Sequence, residues 1–437
     1  MTATERRAPA PALAPGRPAH RDANVLRWLA AYTASMVGDS VYFVALSWAA
    51  ARGGAAQTGL VLAVGAVPRA ALMLGGGVVA DRFGPRRVVI GSDAVRCAVV
   101  LALAALLWLT APGLWLLAVV ALVFGAVDAL FLPAVGALPP RVTAPGQLAR
   151  VQGLRGLAQR VATVTSAPLG GAAVAVGGPT AGFAVAGALF AVSLPLLYAV
   201  HVRELPADDR VGAPEETAWR QLAGGLRYIR GHRVLAPLMA VIAVTEIGFA
   251  VPANIGLVLL ADERGWGAAG MGWTVAGFGV GAGLAALGVA VRGRVPRAGA
   301  VAGWVVLPGA AAVGALAFVP SVGWAVVAAV LVGLLFGLSG ALCNALLQTV
   351  TAPAYMGRVT SVAGLLTLGV PPLCYPLTGV AIGAWGVEPV FVAGAVVSWV
   401  GAGVVGGQDG GGGDGEPEHA CRRDVRAYAR GGDEDGG

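Results

Sequence analysis

Long apolar runs, broken by short polar segments, set the pattern of this chain. Twelve runs stand out, with approximate cores at 26–50, 57–80, 88–110, 113–138, 149–176, 180–201, 234–261, 267–290, 299–319, 322–349, 357–383 and 388–405. About 20 apolar residues in a helix cross the hydrocarbon of a bilayer, and nearly every run reaches that length; the last is the shortest. The pattern predicts an all-α integral membrane protein of twelve transmembrane helices.

Arginine is distributed unevenly over the breaks. One set holds Arg6, Arg7, Arg17, Arg21, Arg82, Arg86, Arg87, Arg141, six arginines between 203 and 233, then Arg292, Arg294, Arg297, Arg422 and Arg423. The alternate breaks carry little beyond Arg52 and Arg264. Excess positive charge marks the cytoplasmic side, so both termini are expected there. The longest polar break, with Pro206 and Pro214, reads as a linker between halves with a short surface helix near 216–230. The expected organisation is a cytoplasmic tail (1–24), a first six-helix bundle (25–201), a cytoplasmic linker (202–233), a second six-helix bundle (234–405) and a Gly-rich, acidic tail (406–437). That tail cannot bury enough apolar surface to fold, so it is expected to be disordered. The start of the chain has no apolar run and does not read as a cleavable signal.

Composition narrows the function classes. Hydrophobic residues make up 57% of 437 and charged residues 12%, with mean hydropathy +0.76; a soluble chain carries about 25% charged residues. Every basic residue is arginine. A Walker A loop requires a lysine, so no conventional ATP-driven motor is encoded here. The net charge of +7 belongs to loops and tails, not to a nucleic-acid surface. Cys97, Cys343, Cys374 and Cys421 have no spacing suggestive of disulfides or a metal site.

The two halves repeat. Val142-Thr143-Ala144-Pro145 recurs as Val350-Thr351-Ala352-Pro353, and in the same register Arg150-Val151 matches Arg358-Val359. Gly156-Leu157 matches Gly364-Leu365, Pro168-Leu169 matches Pro376-Leu377, and Gly171, Gly178 and Phe183 match Gly379, Gly386 and Phe391. Shared Ala/Gly/Val bias does not produce matched Pro, Arg and Phe. A direct repeat of six spans implies two similar bundles related by an axis along the membrane normal.

The turn after the second run reads Gly77-Val78-Val79-Ala80-Asp81-Arg82-Phe83-Gly84-Pro85-Arg86-Arg87. A generic positive-inside turn accounts for the arginines but not for the acid beside them or for two glycines in register. The stretch resembles the loop between helices 2 and 3 of the major facilitator superfamily, Gly-x-x-x-Asp-Arg-x-Gly-x-Arg-Arg, matched by Gly77, Asp81, Arg82, Gly84, Arg86 and Arg87. The resemblance implies that these are cytoplasmic gate residues, with Asp81 meeting the start of helix 11 near Tyr355–Arg358. Ala167-Pro168-Leu169-Gly170-Gly171 is similar to the exporters' antiporter motif, Gly-Pro-x-x-Gly-Gly. Pro168, Gly170 and Gly171 match it, whereas Ala167 replaces the first glycine. The arginine that many drug/proton antiporters carry on helix 4 is absent from Phe124-Gly125-Ala126-Val127-Asp128. Gly38-Asp39 followed by Val67-Pro68-Arg69 and the loop motif most resembles the branch with siderophore and macrolide efflux pumps, over about 25–405.

Ionisable residues inside apolar spans are costly, and they mark functional sites. Asp39 lies mid-span in helix 1 and Glu246 in helix 7, one residue apart in the repeat register. Arg69 is in helix 2 and Asp128 in helix 4. These four are the candidates for proton coupling or substrate contact, since a carboxylate in a partly desolvated cavity can exchange a proton near neutral pH. The alternative is structural pairing, Asp39 with Arg69 for example, or Asp128 with an arginine on helix 5. Gln152, Arg155, Gln159, Thr163 and Ser166 form a polar stripe on helix 5, read equally as a water-lined path or as packing within the bundle. Arg155, Gln159, Arg160, Asn254, Asn344 and Gln348 are cavity candidates; Tyr32, Tyr42, Phe43 and Phe249 are further candidate contacts.

These readings converge on a secondary transporter working by alternating access: no enzyme, no catalytic residues, no metal and no cofactor beyond a proton gradient. Its partners are a small-molecule substrate and the lipid bilayer of the cell membrane, not nucleic acid, and a monomer is expected. Proton-driven export of a small amphipathic or hydrophobic compound is favoured, with metabolite uptake by proton symport as the alternative. A membrane scaffold or sensor on the same fold would not need the intramembrane acids.

Overall fold

The computed structural model describes residues 21–110, 113–143, 147–203, 218–292, 295–352 and 355–409. The expected disorder of the C-terminal tail falls almost wholly outside that range. In lipid every backbone polar group must be satisfied within the chain, and helices do this segment by segment. The helices are α1 (Ala23–Ala51), α2 (Ala55–Phe83), α3 (Pro85–Leu109), α4 (Leu114–Gly136), α5 (Pro139–Val142), α6 (Leu148–Tyr198), α7 (Ala218–Gly231), α8 (Leu235–Thr245), α9 (Val251–Glu263), α10 (Gly267–Arg292), α11 (Ala298–Trp304), α12 (Val306–Leu316), α13 (Val322–Val350), α14 (Met356–Gly364), α15 (Val370–Trp385) and α16 (Val387–Asp409).

Three expected spans are interrupted. A wide π turn, Glu246–Ala250, joins α8 to α9, and another, Leu365–Gly369, joins α14 to α15. Between α11 and α12 the helix is broken at Val305. Conversely, α6 contains two expected spans. Gly177 and Gly178 leave helical geometry, and Gly178 takes a left-handed φ of 67° that favours glycine. Pro179 then lacks an amide hydrogen, so the chain folds back between 176 and 180, where the apolar pattern divides. Counted with this bend and the shorter apolar stretch of α16, the described residues form twelve membrane-spanning rods. They make two six-helix bundles.

In the first bundle α1 lies against α6, α2 against α4, and α3 against both α4 and α6. In the second, α10 packs on α13, and α12 on α13 and α16. Between the bundles the two largest contacts are α2 with α15 and α6 with α10. Both seams are tight because they are built on glycine. A Cβ on Gly171 of α6 would stand 2.5 Å from the Ala268 carbonyl oxygen of α10, and one on Gly272 of α10 would stand 2.5 Å from the Ala167 oxygen. The other seam repeats this: Gly379 of α15 against Ala55 (2.6 Å), Gly59 of α2 against Tyr375 (2.5 Å). Ala167 and Gly171 are the repeat partners of Tyr375 and Gly379. Both seams lie toward the end of the molecule that carries few arginines.

At that end Arg264 closes the second bundle. Its guanidinium donates to the carbonyl oxygens of Ala317 (2.6 Å) and Val319 (2.8 Å) and meets Glu388 at 3.3 Å. One side chain thus ties the α9–α10 turn to the exit of α12 and the start of α16. Arg264→Ala is expected to cost about 1–3 kcal/mol, because two helix-end carbonyls and a carboxylate lose their donor; thermal denaturation of purified protein measures it.

The linker helix forms where expected, as α7. It docks on the start of α14: Tyr228 stacks on Tyr355 with ring centres 4.3 Å apart, and Gly224 and Gly225 admit Arg358. The surroundings of Gly77 and Asp81 lie outside the described side chains, so the expected contact of Asp81 with this region does so too. Gly84 makes the turn from α2 to α3 with φ 83°. Arg86 donates to the Tyr198 carbonyl oxygen at the end of α6 (2.7 Å), a cap within its own bundle, while Arg82 and Arg87 are exposed.

Candidate functional site

A cluster of five ionisable side chains lies within the first bundle. Its centre is Arg96 of α3, fully buried. One terminal nitrogen donates to Asp39 of α1 at 2.7 Å and stands 3.4 Å from Asp128 of α4. The other donates to Asp93, one turn earlier on α3, and lies 3.3 Å from the Ser35 hydroxyl. Asp93 is itself fully buried; it accepts from Ser35 (2.9 Å) and from Ser193 of α6. The faces of three aromatic rings complete the pocket of the guanidinium, with Phe131, Phe190 and Phe124 centroids at 3.9, 5.0 and 5.8 Å. Desolvated cation–π contacts of this kind are worth about 2 kcal/mol.

Glycine also builds the fifth member in. A Cβ on Gly125 of α4 would stand 1.8 Å from the Gly65 oxygen of α2, so these helices touch backbone to backbone. One turn along each helix, Arg69 reaches Asp128 with 3.1 Å between Nε and the carboxylate. Asp39 therefore pairs with Arg96 and not with Arg69, and Asp128 pairs with Arg69 and Arg96 and not with an arginine of helix 5. Sequence reasoning missed Asp93 and Arg96. The signal available was their three-residue spacing on an apolar helix, which puts acid and base on one face.

The arrangement is chemically unbalanced. Three carboxylates face two guanidiniums, a formal excess of one negative charge. Of the three acids Asp39 is the most open, with 20% of its side chain exposed against 0% for Asp93 and 8% for Asp128.

Glu246 is elsewhere. It opens the π turn after α8 and lines a cavity of about 390 Å³ between α8, α13 and α14–α15. Among the described residues it has no ion-pair partner. The structure thus puts the two mid-span acids in different settings, one inside an arginine cluster and one on a cavity wall. Asn344 lines the same cavity and accepts from Gln348 (2.9 Å). Asn254 instead donates to Ala250 of its own helix (2.6 Å). On α6, Gln152, Gln159, Arg160 and Thr163 are exposed, Ser166 is buried, and the Arg155 guanidinium lies over the Tyr32 ring (5.2 Å). Tyr42 stacks on Phe124 at 3.8 Å, and Phe249 lies in a stack with Phe278 and Phe336, so both serve as packing. Pro168 lies inside α6, and Gly170 abuts Val41 and Val44 of α1.

The sequence matches the Major Facilitator Superfamily over residues 28–372. The chain belongs to this superfamily. Among curated major facilitator proteins it is 28% identical over 371 residues to the multidrug efflux pump Tap of Mycobacterium bovis, covering 82% of this chain and 86% of Tap. It is 29% identical over 313 residues to the enterobactin exporter EntS of Shigella boydii, covering 71% and 70%. Among solved structures the fold is similar to the nucleoside transporter NupG, with TM-score 0.67 and 12% identity over 87% of this chain and 98% of NupG. A bacterial homologue of the lysosomal transporter Spinster, in an inward-facing state, gives TM-score 0.64 and 14% identity over 90% and 97%. This chain is a multi-pass membrane transporter of the major facilitator fold.

Proposed function

We infer that this protein exports a small amphipathic or hydrophobic compound across the cell membrane in exchange for protons, by alternating access, with both termini in the cytoplasm. The observation that carries this reading is the odd charge in the first bundle. A proton on one carboxyl neutralises the cluster, and Asp39 is its exposed edge, so proton entry and Arg96 pairing are linked at one atom. When Asp39 is protonated, Arg96 loses one of its anionic partners and can lean on Asp128, which α4 carries. Movement of a proton then becomes movement between helices. Export is supported by the named activities of Tap and EntS and by the glycines of the antiporter-like stretch. Gly171 sits in the seam between bundles, where the alternating states must differ. The two seams close the arginine-poor end, which this reading takes as the outer one.

The test is accumulation of a fluorescent substrate panel in cells stripped of their own pumps. Wild type is expected to lower accumulation, a proton uncoupler to abolish the difference, and Asp39→Asn to behave as the uncoupled protein at equal expression. Export by Asp39→Asn at the wild-type rate would remove the cluster from the coupling mechanism.

A further inference from the structure

The cavity around Glu246 has a mostly apolar wall, and Glu246, Thr245, Ser339, Asn344, Thr360 and Thr367 supply its polar groups. Three of its hydroxyls have already spent their protons on the backbone. Ser339 donates to the Ala302 oxygen (2.8 Å), Thr360 to Met356 (2.7 Å) and Thr367 to Ala363 (3.1 Å). Their lone pairs remain, and each residue is on the cavity wall. Asn344 contributes its amide hydrogens, its oxygen being taken by Gln348. Thr245 lines the wall beside Glu246, and its hydroxyl oxygen is buried with no partner at all. Among the described residues no arginine lines this space. The contrast with the cluster in the first bundle is plain: Asp39, Asp93 and Asp128 each touch a guanidinium, and Glu246 touches none among the described residues.

Two further features place acceptors here. The π turns at Glu246–Ala250 and Leu365–Gly369 flank the cavity from opposite sides, one beginning with Glu246 and the other containing Thr367. A π turn lengthens the hydrogen-bond spacing and leaves a backbone carbonyl of the preceding turn without its usual amide, which is why such turns recur at binding sites. A carboxylate, hydroxyl lone pairs and loosened carbonyls form a site that asks its ligand to donate and to bring positive charge. The remaining wall, from Val241, Ile242 and Leu347, is apolar. About 390 Å³ suits a drug-sized ligand.

We propose that this cavity binds a protonated amphipathic amine, its ammonium N–H groups held by Glu246 and the Thr245 and Thr367 oxygens and its apolar body against α8 and α13. The proposal rests on the reading of the chain as a transporter and names the substrate class of that transporter. An amine is preferred over a quaternary ammonium ion, because the acceptors need N–H donors.

Dansylcadaverine, its N-acetyl derivative and its N-trimethyl derivative share one fluorescent body and differ only at the nitrogen. Each is titrated against the purified full-length protein in lipid nanodiscs. The amine is expected to bind roughly tenfold tighter than the neutral acetyl compound, the size of one charge-assisted hydrogen bond, with the trimethyl compound between them. Glu246→Gln removes that preference, with folding of the variant checked by its melting temperature in the nanodisc, and Glu246→Asp keeps most of it. Equal affinity for amine and acetyl compounds, or an amine preference that survives Glu246→Gln, overturns the proposal. The same probes in proteoliposomes with an imposed pH gradient separate the two readings. Glu246-dependent binding without uphill movement sinks the transporter reading and leaves the amine site; uphill movement of amine and acetyl compounds alike does the reverse.

Discussion

Arg96→Met is expected to destabilise the protein by about 3–5 kcal/mol, the cost of removing one partner from a buried ionic cluster. The magnitude follows from what the guanidinium leaves behind. Asp93 is fully buried, and among the described residues its remaining contacts are the hydroxyls of Ser35 and Ser193. Asp39 loses its 2.7 Å donor, and Asp128 keeps only Arg69. Methionine fills part of the space among Phe131, Phe190 and Phe124 but neutralises nothing. Hence the loss is electrostatic, and removing an acid should recover part of it. Arg96→Met combined with Asp93→Asn is expected to be more stable than Arg96→Met alone, with a coupling of about 1–3 kcal/mol for residues sharing one network. Thermal denaturation in detergent, read by tryptophan fluorescence, measures both. An Arg96→Met protein that melts with wild type would mean that the guanidinium does not hold three buried carboxylates.

Much of this molecule could be read from its residues because lipid enforces simple rules. Span length recovered the spans, and the matched Pro, Arg and Phe of the repeat announced two like bundles. The bend at Gly177–Gly178 falls where the apolar pattern pauses. The site was only partly legible. Asp39, Asp128 and Arg69 were found as charges in apolar runs, but their pairing depends on rotation of helices about their axes, which a sequence does not fix. Arg96 went unnoticed because it follows Arg86 and Arg87 by less than three turns, close enough to read as an interfacial residue. The close approach of α2 to α4 through Gly65 and Gly125 is what puts Arg69 on Asp128, and in a chain with 67 glycines no single one stands out. The π turns have no signature in apolar periodicity; they follow from tertiary packing.

The glycine seams carry the second large effect. Gly171→Leu and Gly379→Leu each place a side chain against a carbonyl oxygen that belongs to the other bundle, 2.5 Å and 2.6 Å from the new Cβ. Backbone cannot yield as a rotamer can, so the bundles must part at the arginine-poor end. Overpacking of this kind costs about 1–3 kcal/mol. That cost falls only on the state in which the seam is closed, so it acts as a bias between the two access states rather than a loss of fold. A bias of about 1.4 kcal/mol already changes their ratio tenfold, and a cycle that must pass through both states slows accordingly. Transport is therefore expected to fall roughly tenfold in either variant, with the melting temperature of purified protein little changed. Gly156→Leu is the control, because a Cβ there meets nothing within 4 Å. The structural consequence is read separately. Ala268→Cys, in a protein otherwise free of cysteine, puts a thiol in the α6–α10 seam, where Ala268 is buried. Gly379→Leu, which pries at the opposite seam, is expected to make that thiol react with a membrane-impermeant maleimide added from outside the cell. If Gly379→Leu transports at the wild-type rate and leaves the thiol protected, the seams are passive packing and the access states differ elsewhere. If the thiol is exposed and transport fails, opening of both seams together is the outward step of the cycle.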